Sequence, residues 1–496
     1  MPSPSTIVVG GGVAGVCAVQ ELVQLLESEA STLPEVPPIS FICGKGGFVK
    51  VAENVNAIGE VAESFTVTSK PAGNVFPTDW VQVIQEDVVS WDPTARTIRL
   101  SNATALPFDK LIIATGARPV TVFDSEHVIT LRDLDTIENL KHRLPTTRRV
   151  LLVGNGGIAS ELAYELKNVE IVWAVRHPSI GATYFDKQAA TFFQSRLHAG
   201  RPDSTTKLDP RKRYTVENNN HDNGNGDGPS TSAGCALGPH WLGALDQGSV
   251  SDYKARKVHV IPEVEIDAVF ETIPSEGYTS NLPSTFAREP SNVPWKVNAR
   301  LSNGETLGAD LIILGLGVTP NTDVWLKGTP QLRAASDGGL LVDSHMQTSI
   351  PGVYAVGDVC TPGAFTSTHW SHLRLWTQAR IMGTYVARVI VLGDIEPDIC
   401  FDLFTHVTSF FGYDVILLGD FAGEKLETPY DAHVRCSPDD EYIKVLVKND
   451  RVHGAVLIGD VTLAETFQNL ILNQTDIRAV EDDLLNPLFD LEDYYD

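Results

Sequence analysis

Apolar residues along this chain gather into short runs that end in glycine. Thr6-Ile7-Val8-Val9 leads into Gly10-Gly11-Gly12-Val13-Ala14-Gly15, and from residue 16 to about 27 Val19, Leu22, Val23 and Leu26 recur on one helical face. This order predicts a strand, a glycine turn and an amphipathic helix. It returns at residues 150–153, followed by Gly154-Asn155-Gly156-Gly157-Ile158-Ala159-Ser160-Glu161, a second amphipathic helix and a strand over 169–175. Three further apolar runs end the same way. Leu111-Ile112-Ile113 meets Ala114-Thr115-Gly116-Ala117-Arg118-Pro119, Leu311 to Leu314 meets Gly315-Leu316-Gly317-Val318-Thr319-Pro320, and residues 352–356 meet Gly357-Asp358.

In a strand-turn-helix of this kind the first glycine (Gly10) permits the tight turn and the second (Gly12) lets backbone approach a pyrophosphate. The third (Gly15) lets helix and sheet pack closely, while the helix N-terminus faces the phosphate charge. One such turn is a common strand-to-helix link; five in this order build two nested nucleotide domains and imply two cofactors. The predicted fold is therefore α/β. Two Rossmann-like dinucleotide-binding domains, 1–120 with 326–395 and 121–325, precede a small α+β domain at 396–496. In the last, a hairpin over 442–447 and 451–458 turns at Asn449-Asp450, and a helix carries Leu463, Phe467, Leu470 and Ile471 on one face. The acidic end, 481–496, holds seven carboxylates and no basic residue, and reads as a solvated tail despite Leu484, Leu485, Leu488 and Phe489.

Residues 200–257 differ in character. Positions 217–234 are almost wholly Asn, Asp, Gly, Ser, Thr and Pro, which cannot bury a core, so a mobile insertion is predicted there. The chain of 496 residues carries 38 basic and 63 acidic side chains, a formal charge of -25 that opposes nucleic-acid backbones and anionic lipid. Its densest basic run, Arg211-Lys212-Arg213, falls in that insertion. No apolar run approaches the ~18 residues of a membrane span, and the five residues before the first strand hold no secretory signal, so a soluble, non-secreted protein is expected. The six cysteines (Cys17, Cys43, Cys235, Cys360, Cys400, Cys436) come no closer than 26 positions. That spacing suits a reducing compartment and lacks the Cys-x-x-Cys of a dithiol reductase or zinc ribbon; no metal site is expected.

The set of turns over residues 6–395 resembles the two-dinucleotide-binding-domain flavoproteins, the superfamily of glutathione reductase, ferredoxin reductases and apoptosis-inducing factor. The resemblance implies that Gly10, Gly12, Gly15, Gly357 and Asp358 hold FAD, with Asp358 at the ribityl chain, and that Gly154 and Gly156 hold NADH or NADPH. Thr115, Gly116, Gly315 and Gly317 stand where strand ends meet a cofactor. A closer likeness to one branch of these proteins runs nearly full length. It includes Ala236-Leu237-Gly238-Pro239, Arg374-Leu375-Trp376-Thr377-Gln378-Ala379-Arg380 and Ile471-Leu472-Asn473-Gln474. That likeness implies an FAD protein of cytoplasm and nucleus that reacts with NAD(P)H and guards the tRNA-splicing ligase, an oxidation-sensitive RNA ligase, from inactivation.

Three departures from the superfamily pattern follow. After the strand over 39–42, where an acid usually binds the adenosine ribose, stands Cys43-Gly44-Lys45, so ribose binding falls to backbone or another side chain. About ten residues on, where single-cysteine members carry their thiol, stand Ala52, Glu53 and Asn54; Cys43 reads as a plain buried cysteine. His406, His433 and His453 read as structural, since a proton-handling histidine has no disulfide to serve. A flavin accepting hydride develops negative charge that a nearby cation stabilises. Lys50, in the segment that passes the flavin ring in related enzymes, is the candidate, and the resemblance implies its partner in Glu161, which stands five residues past Gly156. Arg176, 22 residues after Gly154, suits the 2'-phosphate of NADPH. Two functions stay open: an NAD(P)H-dependent FAD oxidoreductase of unknown acceptor, or an NAD(P)H- and FAD-binding redox sensor that shields a partner with little turnover.

Overall fold

A strand flanked on both sides in a parallel sheet must be apolar on both faces, and the runs that end in glycine meet that condition. The computed structural model describes residues 5–29, 38–132, 134–200, 257–272, 277–286, 293–363, 367–489, 491 and 494. The predicted insertion, with Cys235 and Arg211-Lys212-Arg213, lies outside the described residues between 201 and 256. Thr6–Val9 is the central strand of a five-stranded parallel sheet ordered Val353–Ala355, Lys110–Ile113, Thr6–Val9, Ile39–Ile42, Val81–Ile84. Arg149–Gly154 is central to a second, ordered Val128–Thr130, Leu311–Gly315, Arg149–Gly154, Glu170–Ala174, Lys257–Ile261. The two sheets share one design. In each, the strand that enters the glycine turn lies between the next strand in sequence and the strand of a later Gly-containing turn.

The first motif helix, Val13–Glu29, starts three residues earlier than its apolar periodicity suggests. The Val16 N–H bonds the Gly12 carbonyl at 3.0 Å, so the first helical turn closes on the glycine itself and buries Val13 and Ala14. Helix Trp376–Leu392 lies along it. A Cβ on Gly383 would stand 2.2 Å from the Ala14 carbonyl oxygen, so this contact needs glycine.

Where single-cysteine members of the superfamily place their thiol, this chain forms a long antiparallel hairpin, Phe48–Ile58 with Ala62–Pro71. Its tip is clipped to the C-terminal domain by one residue. Gln468, fully buried in helix Ala464–Asn473, accepts from the Val61 and Ala62 N–H groups at 3.2 and 3.0 Å and donates to the Ile58 carbonyl at 3.0 Å.

The C-terminal sheet is antiparallel, ordered Thr405–Phe410, Tyr413–Gly419, Arg451–Ile458, Glu441–Lys448, Asp431–Ser437. Its predicted hairpin is present, with φ of 53° and 59° at Asn449 and Asp450, the left-handed pair that a tight two-residue turn requires. Phe467, Leu470 and Ile471 of the helix are buried against this sheet. The solvated-tail expectation is corrected in part. Leu484 and Leu491 are each 2% exposed, and Leu485 and Phe489 pack on the same core, while Leu488 stays in solvent. Apolar burial outweighs charge there because the carboxylates can point outward while the leucines point in. Among the described residues no helix is long and apolar enough to cross a membrane.

Replacing Gln468 with Leu leaves the Val61 and Ala62 donors unmet in a buried site, where each such group costs about 1–3 kcal/mol. The Gln468→Leu protein should unfold at lower denaturant, and amide exchange should rise first at the hairpin tip; unchanged protection there would show that the clip is not what holds the hairpin.

Candidate dinucleotide-binding cavity

The carboxyl ends of both parallel sheets open on one cavity of about 930 Å³, within the range of cofactor pockets. Its floor is the two glycine turns. Gly10 has φ +127° and Gly154 has φ +124°, and a Cβ on either would stand 2.0 or 2.1 Å from a carbonyl oxygen of the adjoining strand's turn, Ala114 or Gly315. Gly12 and Gly156 are the opposite case. A Cβ at either would have nothing within 4 Å, so their backbones face open space where a pyrophosphate can approach. Gly15 presses on the Gly10 carbonyl, at 2.0 Å from its own Cβ position, as close helix-strand packing requires. In the second copy Ala159 takes that place.

The other predicted turns are sewn to each other. Thr115 Oγ1 donates to the Asn321 carbonyl at 3.0 Å and accepts from Trp325 Nε1 at 3.2 Å, and the Asn321 N–H bonds the Gly116 carbonyl at 2.9 Å. Thr115 thus spends its hydroxyl on protein, leaving Gly116 and Gly317 as the open backbone beside it. Gly357 meets the Ala14 side chain at 2.9 Å from its Cβ position, and Asp358 follows it in a short helical turn, Gly357–Val359. Burial raises the Asp358 carboxyl above its ordinary range; Arg132, 2.8 Å away, and Arg374 pull it back. Arg374 also donates Nε to the Asp358 carbonyl at 3.0 Å.

Lys50 and Glu161 both border the cavity, and the Lys50 N–H is bonded to the Gly11 carbonyl at 2.8 Å, which fastens its strand to the first turn. The expected ion pair is not made. No salt bridge joins Lys50 to Glu161 among the described residues, because Lys50 projects from the hairpin and Glu161 from helix Gly157–Glu165 across the space between them. Arg176 lies at the mouth with 70% of its side chain exposed and faces Glu265 at 3.5 Å. An acid at the same rim opposes a second phosphate and tempers the NADPH reading.

Cys43 is half-buried and borders the cavity, which corrects its reading as a buried cysteine. Burial pushes its thiol up, and the buried Cys17 and Cys360 and half-buried Cys400 thiols are pushed up to about 12, so none is a ready thiolate. All five described cysteines are free. An acid is present beside the Cys43-Gly44-Lys45 turn after all: Asp87 Oδ1 accepts from the Lys45 N–H at 3.4 Å. Local sequence concealed it, since Asp87 follows a different strand. Arg132 and Asn155 were also missed. The buried Asn155 amide accepts from the Gly181 N–H at 2.7 Å and donates to the Ser179 carbonyl at 2.8 Å, bracing the second turn on the following loop. Of the three histidines expected to be structural, His433 bonds Glu481 at 3.2 Å and His453 bonds His369 at 3.0 Å. His406 instead borders the cavity.

Two parallel sheets of one design, each delivering an open glycine backbone and a helix N-terminus to a shared cavity, fit two dinucleotides and define a flavoprotein of the two-dinucleotide-binding-domain class. The pyridine nucleotide-disulphide oxidoreductase family matches residues 4–201 and 278–383. The rubredoxin NAD+ reductase C-terminal domain matches 407–475. The chain belongs to the pyridine nucleotide-disulphide oxidoreductase family, whose members use FAD and NAD(P)H. Among its relatives, pyridine nucleotide-disulfide oxidoreductase domain-containing protein 1 of Homo sapiens is 36% identical over 99% of this chain and 97% of the human protein. The protein of that name from Dictyostelium discoideum is 31% identical over 99% of both chains. A ferredoxin reductase from Rhodopseudomonas palustris shares the fold at TM-score 0.66 and 18% identity, covering 99% of each chain. A water-forming NADH oxidase from Lactobacillus brevis does so at 0.62 and 17%, over 99% of this chain and 95% of that one.

Two outcomes separate cradle from scaffold. Gly12→Val and Gly156→Val place side chains in open space, so both proteins should stay folded by thermal melting while losing, respectively, bound flavin and its reduction by NAD(P)H. Gly10→Ala drives a methyl into backbone and should destabilise the fold itself. Arg132→Leu leaves the buried Asp358 carboxylate with only the Arg374 charge and no ion-pair partner. The loss is expected at about 1–3 kcal/mol, below the ~3–5 of a fully enclosed pair because Arg132 is partly exposed. The Asp358 pKa, already raised in the folded state, climbs further without Arg132. The deficit is therefore full where Asp358 is ionised and shrinks as the pH falls and the group protonates, as paired denaturation curves would show.

Proposed function

We propose that this oxidoreductase takes hydride from NAD(P)H onto FAD without a redox-active disulfide and without any catalytic thiol. The observation that carries the reading is the Phe48–Ile58 strand, which brings Lys50 to the cavity, held by the Gly11 carbonyl, and carries no cysteine. Bound FAD would supply a ring that accepts hydride and passes electrons on to a separate acceptor. Lys50 provides positive charge where that ring becomes negative. Asp358, positioned by Arg132, offers a carboxylate to sugar-like hydroxyls, and the open Gly12 and Gly156 backbones admit the two pyrophosphates. Glu161 supplies an acid to the same cavity from helix Gly157–Glu165. Arg176 favours NADPH, and Glu265 moderates that preference.

The full-length likeness to the branch noted above supports two further proposals: work in cytoplasm and nucleus, and protection of the tRNA-splicing RNA ligase against oxidation. Retention of ligase activity in aerated buffer, with and without this protein and NADPH, tests the second.

The central test is an anaerobic titration of the yellow protein with NADH and NADPH, followed by air. Bleaching of the flavin band by NAD(P)H and prompt recovery in air support turnover. A persistent long-wavelength band that outlasts air points instead to a shielding complex, and no bleaching at all would overturn hydride transfer. In stopped flow Lys50→Met should slow the bleaching by about 10–100-fold; an unaltered rate removes Lys50 from the chemistry.

A further inference from the structure

His406 belongs to the C-terminal sheet, in strand Thr405–Phe410, where its backbone pairs with Leu417. Its side chain turns away from that domain's helix toward the cavity. It is 2% exposed, and its Nδ1 is fully enclosed without a hydrogen-bond partner, which leaves Nε2 as the nitrogen able to face the cavity. Tyr184, from the loop after strand Glu170–Ala174, stacks on it with centroids 5.7 Å apart and planes at 29°, and Phe410 packs on Tyr184 at 5.5 Å. A ring hemmed in by aromatics would be better served by phenylalanine. An imidazole kept there in place of an apolar ring is costly unless a polar group meets the nitrogen that faces the cavity.

Burial pushes the His406 imidazole down to about 4, so it is neutral at physiological pH. A neutral imidazole presents one donor and one acceptor and adds no positive charge to the cavity. Tyr184, whose phenol is pushed up to about 12 by burial and by the Glu161 charge, places this pair near Glu161. A group that fits such a wall is planar, carries both an N–H donor and a carbonyl acceptor, and in one redox state bears a positive ring that a cationic neighbour would repel.

We propose that His406 hydrogen-bonds the carboxamide of the nicotinamide ring, so that the C-terminal sheet closes the ring end of the coenzyme site. This rests on the reading of the Gly154-Gly156 turn as the NAD(P)H site. His406 acts as a positioning residue whose neutrality lets the oxidised, cationic ring remain bound. Tyr184 holds the imidazole in its plane.

Calorimetric titration of the FAD-loaded protein with NAD+ and with ADP-ribose, which lacks the ring, tests this. His406→Leu should weaken NAD+ at least tenfold and change ADP-ribose less than twofold, and His406→Gln, which keeps a donor and an acceptor, should recover most of the NAD+ affinity. Unchanged NAD+ binding by His406→Leu, or equal losses for both ligands, would overturn the assignment. If ADP-ribose fails to bind the unmodified protein, the coenzyme reading of the glycine turn fails as well, a result distinct from loss of the ring contact alone. Should His406→Leu not fold, 15N-histidine spectra of the unmodified protein decide. The resonance missing from His406→Gln must shift with NAD+ and stay still with ADP-ribose; no shift with NAD+ refutes the contact.

Discussion

Two carbonyl oxygens stand where a side chain at Gly10 or Gly154 would have to be. The Ala114 and Gly315 carbonyls lie 2.0 and 2.1 Å from those absent Cβ atoms, and each glycine takes a positive φ that only a residue without Cβ adopts at little cost. That close approach lets the central strand of each sheet turn at once into a helix instead of looping outward. Both helix N-termini consequently face the same cavity, and the open backbones at Gly12 and Gly156 become its cradles. Shift either strand by the width of a methyl group and the cradle opens away from its partner.

Around this duplicated frame the remaining elements act as walls. The hairpin Phe48–Ile58 and Ala62–Pro71 ties to the first turn through Lys50 and to the C-terminal helix through Gln468, so it spans the first nucleotide domain and the last domain. A second bridge is aromatic: Phe192 and Phe193 pack on Tyr413 and Phe411, and Phe185 on Phe410, joining the second nucleotide domain to the C-terminal sheet. Lys444 reaches Asp186 across the same junction at 2.8 Å. These contacts hold His406 and Phe410 against the cavity, so the last domain shapes the site as well as completing the fold.

The glycine turns were legible because their physics is local: a strand, a missing side chain and a helix start occupy about ten consecutive residues. The position of Asp358, just past an apolar run that meets Gly357, was legible for the same reason. Arg132 was not, because nothing near it in sequence distinguishes it from any other arginine; it matters only through Asp358, 226 positions away. Asp87 was hidden similarly, since it reaches the Gly44-Lys45 turn from the end of an adjoining strand. The acidic end misled because charge is read residue by residue while burial depends on which way each side chain points. Leu484 and Leu491 found the C-terminal core, and their acidic neighbours did not prevent it.

By itself the sequence determined the two nucleotide domains, their order, the glycine turns at the strand ends and the absence of closely spaced thiols, because each depends on neighbouring residues or on apolar periodicity. Only the tertiary structure decided that Lys50 and Glu161 stand apart across one cavity, that Arg132 guards Asp358, and that a histidine from the last domain borders that cavity. Those relations join residues hundreds of positions apart, and the forces that set them, burial of charge and the packing of aromatic faces, exist only once the chain has folded.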